Sequence, residues 1–152
     1  MLLTRLNPSR LPTKAVSDFD QAIRLELGNA NFYNNRGNLR RARKVYDLAA
    51  ADFSEAIRLY PEFVYAYYNR GLTRMDQKEY DLAIVDFHEV IRFDPQDVMA
   101  YYHRGLAWSA KEQFESAIQD FDRAGPEAVL RLPGPRAREG GPEGLRRAHR
   151  GV

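Results

Sequence analysis

The chain has 152 residues, 44% of them hydrophobic and 29% charged, with a formal net charge of +2. That length bounds it to one domain of moderate size, and that balance is the one expected of a soluble globular protein. There is no cysteine, which excludes disulfides, thiolate metal sites and thiol catalysis.

No apolar run approaches the ~18 residues that a membrane-spanning helix needs, so no membrane partner is expected. Residues 1–14 carry a charge of +3 and residues 125–152 another +3, which leaves −4 for residues 15–124. The first 14 residues read as a basic, frayed N-terminal segment, since Met1–Leu6 is too short and interrupted for a secretory signal. The lack of cysteine fits a cytoplasmic setting.

From residue 15 onward one pattern recurs every 34 residues. Its acid–aromatic pairs are Asp18-Phe19, Asp52-Phe53, Asp86-Phe87 and Asp120-Phe121, and its glycines are Gly37, Gly71 and Gly105. A period of about 34 with helical patterning marks an array of helix-turn-helix units. The elements in chain order are an orphan helix at 15–27, then pairs at 30–43 with 46–60, 64–77 with 80–93, and 98–111 with 114–124. The units run 30–63, 64–97 and 98–124, three full repeats after a half repeat. A partner for the first helix would fall near residues 1–9, where Pro8 and Pro12 disrupt the pattern.

Within a unit, Ala83, Ile84, Phe87, Val90 and Ile91 form an apolar stripe at helical spacing. Pro61 and Pro95 stop the second helices. Asn29 and Asp97 sit where a side-chain oxygen would cap the next helix.

The recurring marks resemble the tetratricopeptide repeat family over residues 15–124. They are the three glycines, Tyr46, Tyr80 and Phe114 nine residues on, Ala49, Ala83 and Ala117 twelve on, the aromatics sixteen on, and Pro61 and Pro95. The resemblance implies an all-α helix-turn-helix repeat solenoid, a non-enzymatic protein-interaction scaffold without cofactor or metal. Two departures stand out. Arg36, Arg70 and Arg104 replace a large apolar residue before each glycine, and Arg40 and Arg74 replace an aromatic that Trp108 supplies in the third copy. A repeated Arg beside a repeated Asp points to pairing between packed helices. Either Asp86 of its own unit or Asp52 of the preceding one would suit Arg70. The first two repeats are expected to pack less tightly at Arg40 and Arg74.

In this family the first helices line a concave groove. The residues facing it would be Asn31, Asn34, Asn35, Asn38 and Arg41, then Tyr65, Tyr68, Asn69, Leu72 and Met75, then Met99, Tyr102, His103, Leu106 and Ser109. An asparagine both donates and accepts, which suits an extended peptide backbone, and the tyrosines supply rigid contact area. A protein or peptide partner is therefore expected. One branch of the family clamps the acidic tail of heat-shock chaperones with two asparagines and three cations. Asn38 and Asn69 match the asparagines, but Asn34, Met99 and His103 stand where the cations belong, leaving that adaptor reading incomplete.

Residues 125–152 hold six Gly, four Pro and six Arg, the composition of a disordered tail. Three glutamates dilute the arginines and no aromatic interleaves them, so no nucleic-acid partner is expected. With nothing continuing the array, Ile118 and Phe121 are expected to be partly exposed, and the 114–124 helix offers a route to self-association or points to a truncated or alternative C-terminus. His88 reads as surface variation, because Ser54 and Asp122 occupy its place in the neighbouring copies.

Overall fold

A computed structural model describes residues 11–126 and 128, and these form seven α-helices with no strand. They are α1 (Leu11–Leu25), α2 (Ala30–Ala42), α3 (Tyr46–Leu59), α4 (Val64–Asp76), α5 (Tyr80–Phe93), α6 (Val98–Ala110) and α7 (Phe114–Ala124). The fold is an all-α repeat of helical hairpins. Most of the 125–152 tail, and residues 1–10 of the N-terminal segment, lie outside the described residues.

The caps follow from local chemistry. The Asn29 side chain accepts from the Asn31 N–H at 3.1 Å, and Asp97 accepts from the Ala100 N–H at 2.9 Å. Each carboxylate or amide oxygen satisfies a first-turn donor that the helix itself cannot. Helices α3 and α5 end at Leu59 and Phe93, two residues ahead of Pro61 and Pro95. The first helix differs from expectation, because it begins at Leu11 and ends at Leu25. Pro12 falls in its first turn, where a missing N–H breaks no bond, so the proline is accommodated rather than disruptive.

The chain divides into two compact units, residues 1–73 and 74–152. In the first, α2 packs on α1 and α3, and Ala49, Phe53 and Ala56 of α3 are fully buried. Here Gly37 is required by a close approach: a Cβ at that position would stand 2.7 Å from the Phe53 ring. In the second unit, α6 packs on α5 and α7. Its core joins Tyr101, Tyr102, Ala117, Phe121, Ala124 and Ala128. A Cβ at Gly105 would meet the Phe121 ring at 2.8 Å, the same device one hairpin pair along.

The end of the array departs from expectation as well. Phe121 is only 1% exposed, covered by the Tyr102 ring 5.5 Å away and by buried Ala128, while Ile118 is half-buried. Gly125, at φ 72°, terminates α7 and turns the chain so that Ala128 returns to the same core.

Each hairpin turn contains one residue in the left-handed region: Lys44, Lys78 and Glu112, with φ of 61°, 63° and 60°. A Cβ there crowds the following carbonyl. Lys78→Gly should therefore stabilise the chain by about 0.5–1 kcal/mol, the relief outweighing the greater entropy of glycine in the unfolded state. Urea unfolding checks this, and an unchanged or lower midpoint contradicts it.

Candidate binding surface

The first helices of the hairpins carry the residues expected to bind, and a ladder of arginines fixes how those helices sit. Arg36 on α2 donates through Nε and Nη2 to both oxygens of Asp52, at 3.1 and 2.6 Å, and through Nη1 to Asp20 at 2.7 Å. Arg104 grips Asp120 in the same two-pronged way, both bonds at 2.7 Å, and its Nη1 stands 3.3 Å from Nδ1 of His88. Arg70 donates to the Ser54 hydroxyl at 2.9 Å. The ladder thus reaches sixteen residues forward to the aspartate of its own repeat and sixteen back. The backward partner is Asp20, Ser54 or His88, two residues beyond the aspartate named by the sequence as the alternative. His88 is accordingly part of the ladder, exposed as it is. The signal was present in the sequence as a symmetrical spacing, but Asp20, Ser54 and His88 share no chemistry that would have marked the position.

The side chain of Asp52 is 4% exposed and that of Asp86 0%. Arg40 and Arg74, expected to loosen the packing, each place Nη1 2.7 Å from these carboxylates. A cation therefore stands in the first two copies where Trp108 packs in the third. Burial alone would lower the pKa of the Arg36 guanidinium, but its bonds to Asp52 and Asp20 outweigh this and hold it above the ordinary arginine value.

On α2, Asn31, Asn35 and Asn38 recur at i, i+4 and i+7 and are all exposed. No hydrogen bond engages the side-chain amides of Asn35 and Asn38 among the described residues. Asn34 is different. It is 7% exposed, and its Oδ1 accepts from Nδ2 of Asn69 on α4 at 3.1 Å. This pair ties α2 to α4, so Asn34 is a structural residue and Asn69 is half committed. Tyr65 on α4 is 73% exposed, and Leu72 is half-buried. Arg41 and Tyr68 are half-buried and already held by interactions within the chain.

In the second unit the expected surface is reduced. Tyr102 is fully buried against Phe121, so it is a core residue and not a binding one. The His103 ring stacks on Phe87 at 5.7 Å, with Nδ1 2.9 Å from the Met99 carbonyl oxygen. Leu106 packs on the core, while Met75 and Met99 are half-buried.

Residues 9–62 and 64–97 match two family models, both described as the tetratricopeptide repeat. The chain belongs to the tetratricopeptide repeat family. Its fold is similar to that of MamA from Desulfovibrio magneticus RS-1, at 27% identity and a TM-score of 0.74, covering 78% of this chain and 69% of that one. A second MamA structure gives 27% and 0.73, and the repeat protein covers 75% of itself but only 62% of that chain, less than two-thirds of its length. The first tetratricopeptide domain of Spaghetti (RPAP3), solved bound to the HSP90 peptide SRMEEVD, shares the fold at 21% identity and a TM-score of 0.69, with coverage of 80% and 93%. Among curated proteins none matches. Among the described residues no helix is long and apolar enough to cross a membrane.

Of the positions where the repeat family's chaperone clamp carries cations, Asn34 is buried in the α2–α4 tie and His103 is bound to its own helix.

Two outcomes follow from this geometry. Asp52→Ala removes the buried carboxylate that Arg36 and Arg40 share, leaving Arg36 with Asp20, and should destabilise the chain by about 3 kcal/mol. In a double-mutant cycle with Arg36→Ala, the second substitution should cost far less than it does alone. Burial pushes the Tyr102 phenol above its ordinary value of 10.0. Its contribution to stability is full below that pH and is lost as the pH rises through the folded value. Tyr102→Phe should therefore flatten the alkaline fall in urea midpoint, and an unchanged slope would mean that the ring is not buried.

Proposed function

We propose that this chain is a non-catalytic protein-interaction module, and that the exposed stripe of Asn31, Asn35 and Asn38 on α2, with Tyr65 and Leu72 on α4, takes an extended peptide segment of a partner. The observation that carries this reading is the stripe of exposed asparagines on α2, in which no hydrogen bond engages the side-chain amides of Asn35 and Asn38 among the described residues. An asparagine amide offers the same donor and acceptor as a peptide bond. Asn31 and Asn35, four apart, are separated by about 6 Å along the axis, close to the ~6.8 Å two-residue repeat of an extended chain. These two therefore suit peptide groups of the same orientation, and Asn38, about 4.5 Å further on, extends the polar stripe. Tyr65 supplies a rigid apolar surface with a polar tip at low conformational cost.

The peptide held by the Spaghetti domain supports the mode of action through the shared fold alone. Its acidic sequence is not the ligand class favoured here, because the cationic positions of the clamp are filled by a buried Asn34, by Met99 and by a self-bound His103. Self-association through α7 is disfavoured too, since Phe121 is covered within its own unit. The absence of cysteine suits a reducing, cytoplasmic setting.

The test is capture of partners by the full chain against an Asn35→Ala, Asn38→Ala, Tyr65→Ala variant. All three side chains are exposed, so the helical circular dichroism should be unchanged. Peptides selected from an array on the native chain should lose at least about tenfold in affinity, some 1.4 kcal/mol or more. Equal affinity for native and variant would place the working surface elsewhere.

A further inference from the structure

The second helices of the repeats carry one stripe at a 34-residue spacing, and α1 carries it as well, as Ala15, Asp18, Phe19 and Ala22. In the repeats this stripe is the one pressed on the preceding helix of the same hairpin. Phe53 and Phe121 lie on Gly37 and Gly105, and Asp52 and Asp120 are gripped by Arg36 and Arg104. Each of those aromatics and carboxylates is buried. On α1 the same residues are less covered: Ala15, Phe19 and Ala22 are half-buried, and the Asp18 side chain is 63% exposed against 4% for Asp52. Leu25, on the same face, is 82% exposed, whereas its counterparts Leu59 and Phe93 are half-buried. Helix α1 does pack on α2, with Asp20 on Arg36 and with one side of Phe19, whose ring centroid stands 6.3 Å from that of Phe32.

We propose that this face of α1 is a docking site for a helix of a second protein that presents an Arg-Gly step, the arginine to Asp18 and the glycine to Phe19. The chain itself supplies the template for the occupant. The carboxylate calls for a planar, two-pronged cation, as Asp52 and Asp120 receive. The aromatic calls for glycine, since even a Cβ comes within 2.7 Å of the ring at the equivalent contact. The present partner of Asp18 is Lys14, one turn earlier at 3.5 Å, both side chains largely in water. Such a pair contributes little and is readily displaced. In the 34-residue register the chain has Leu2 and Leu3 where Arg36 and Gly37 stand one repeat on, so its own sequence lacks the Arg-Gly step there.

The probe is a fluorescein-labelled, lactam-stapled peptide with the sequence of residues 30–43, which contains the Arg-Gly step of α2. Anisotropy titration with the full chain should show saturable binding. Asp18→Lys should weaken it at least tenfold while leaving the thermal unfolding of the chain unchanged, because Asp18 is exposed. A peptide with aspartate in place of its arginine should bind Asp18→Lys better than it binds the native chain, and a peptide with leucine in place of its glycine should bind neither. Absence of binding, or binding indifferent to Asp18, overturns the proposal. So does binding that appears only after residues 1–10 are deleted, which would make that segment the natural occupant. A concentration-dependent mass abolished by Asp18→Lys would assign the face to a second copy and overturn it equally.

Discussion

A charged carboxylate taken out of water costs several kcal/mol unless a cation or hydrogen-bond donors meet it, and three aspartates of this chain are buried in that way. Asp52, Asp86 and Asp120 are buried, and each is met by arginine from the first helix of a hairpin. The next residue along, a phenylalanine, lies on the glycine that follows the arginine in the facing helix at Phe53 and Phe121. One charge contact and one steric contact therefore occupy adjacent residues on both helices. A single inserted residue would turn everything beyond it by about 100° around the helix axis and break both at once. This is why the period of the chain does not drift, and why the Asp-Phe and Arg-Gly steps travel together.

Within that fixed frame the second contact of each arginine is free to vary. Its backward partner is a carboxylate in Asp20, a hydroxyl in Ser54 and an imidazole in His88. The guanidinium charge assists all three bonds, but only Asp20 adds an opposite charge, so that rung is the strongest although the geometry repeats. The same freedom appears beside the buried aspartate. Asp52 receives a second cation from Arg40 and Asp86 is met by Arg74, whereas the third copy fills that space with Trp108. Charge and aromatic packing are alternative ways of closing one gap.

The parts of the fold legible in the sequence are those set by periodic constraint: the hairpins, the Asn29 and Asp97 caps, the stops before the prolines and an Arg–Asp pairing, though not whether it runs within a repeat or between repeats. The candidate surface was legible only in outline. Asn34 and Asn35 are neighbours in sequence, yet one is buried against Asn69 and the other faces water. Tyr102 looks like Tyr68 in alignment but closes the core over Phe121. These outcomes depend on what the adjoining helix places opposite, which spacing along one helix does not encode. The start of α1 was misplaced for a local reason, since proline breaks a helix interior but fits a first turn.

Helix α2 divides its circumference accordingly. Arg36, Gly37 and Arg40 face α3, Asn34 reaches α4, and Asn31, Asn35 and Asn38 are left outward. The outward residues contribute nothing to the packing, while the residues between them hold the backbone rigid. A surface built this way is ordered before any ligand arrives, so binding need not spend energy on fixing its own side of the contact. It also separates two kinds of substitution. In the proposed binding mode, changes to the outward amides alter what is bound without loosening the hairpin, and changes to the arginine one residue away loosen the hairpin without touching the ligand. Recognition along the stripe would then diverge while the buried charge holds the fold.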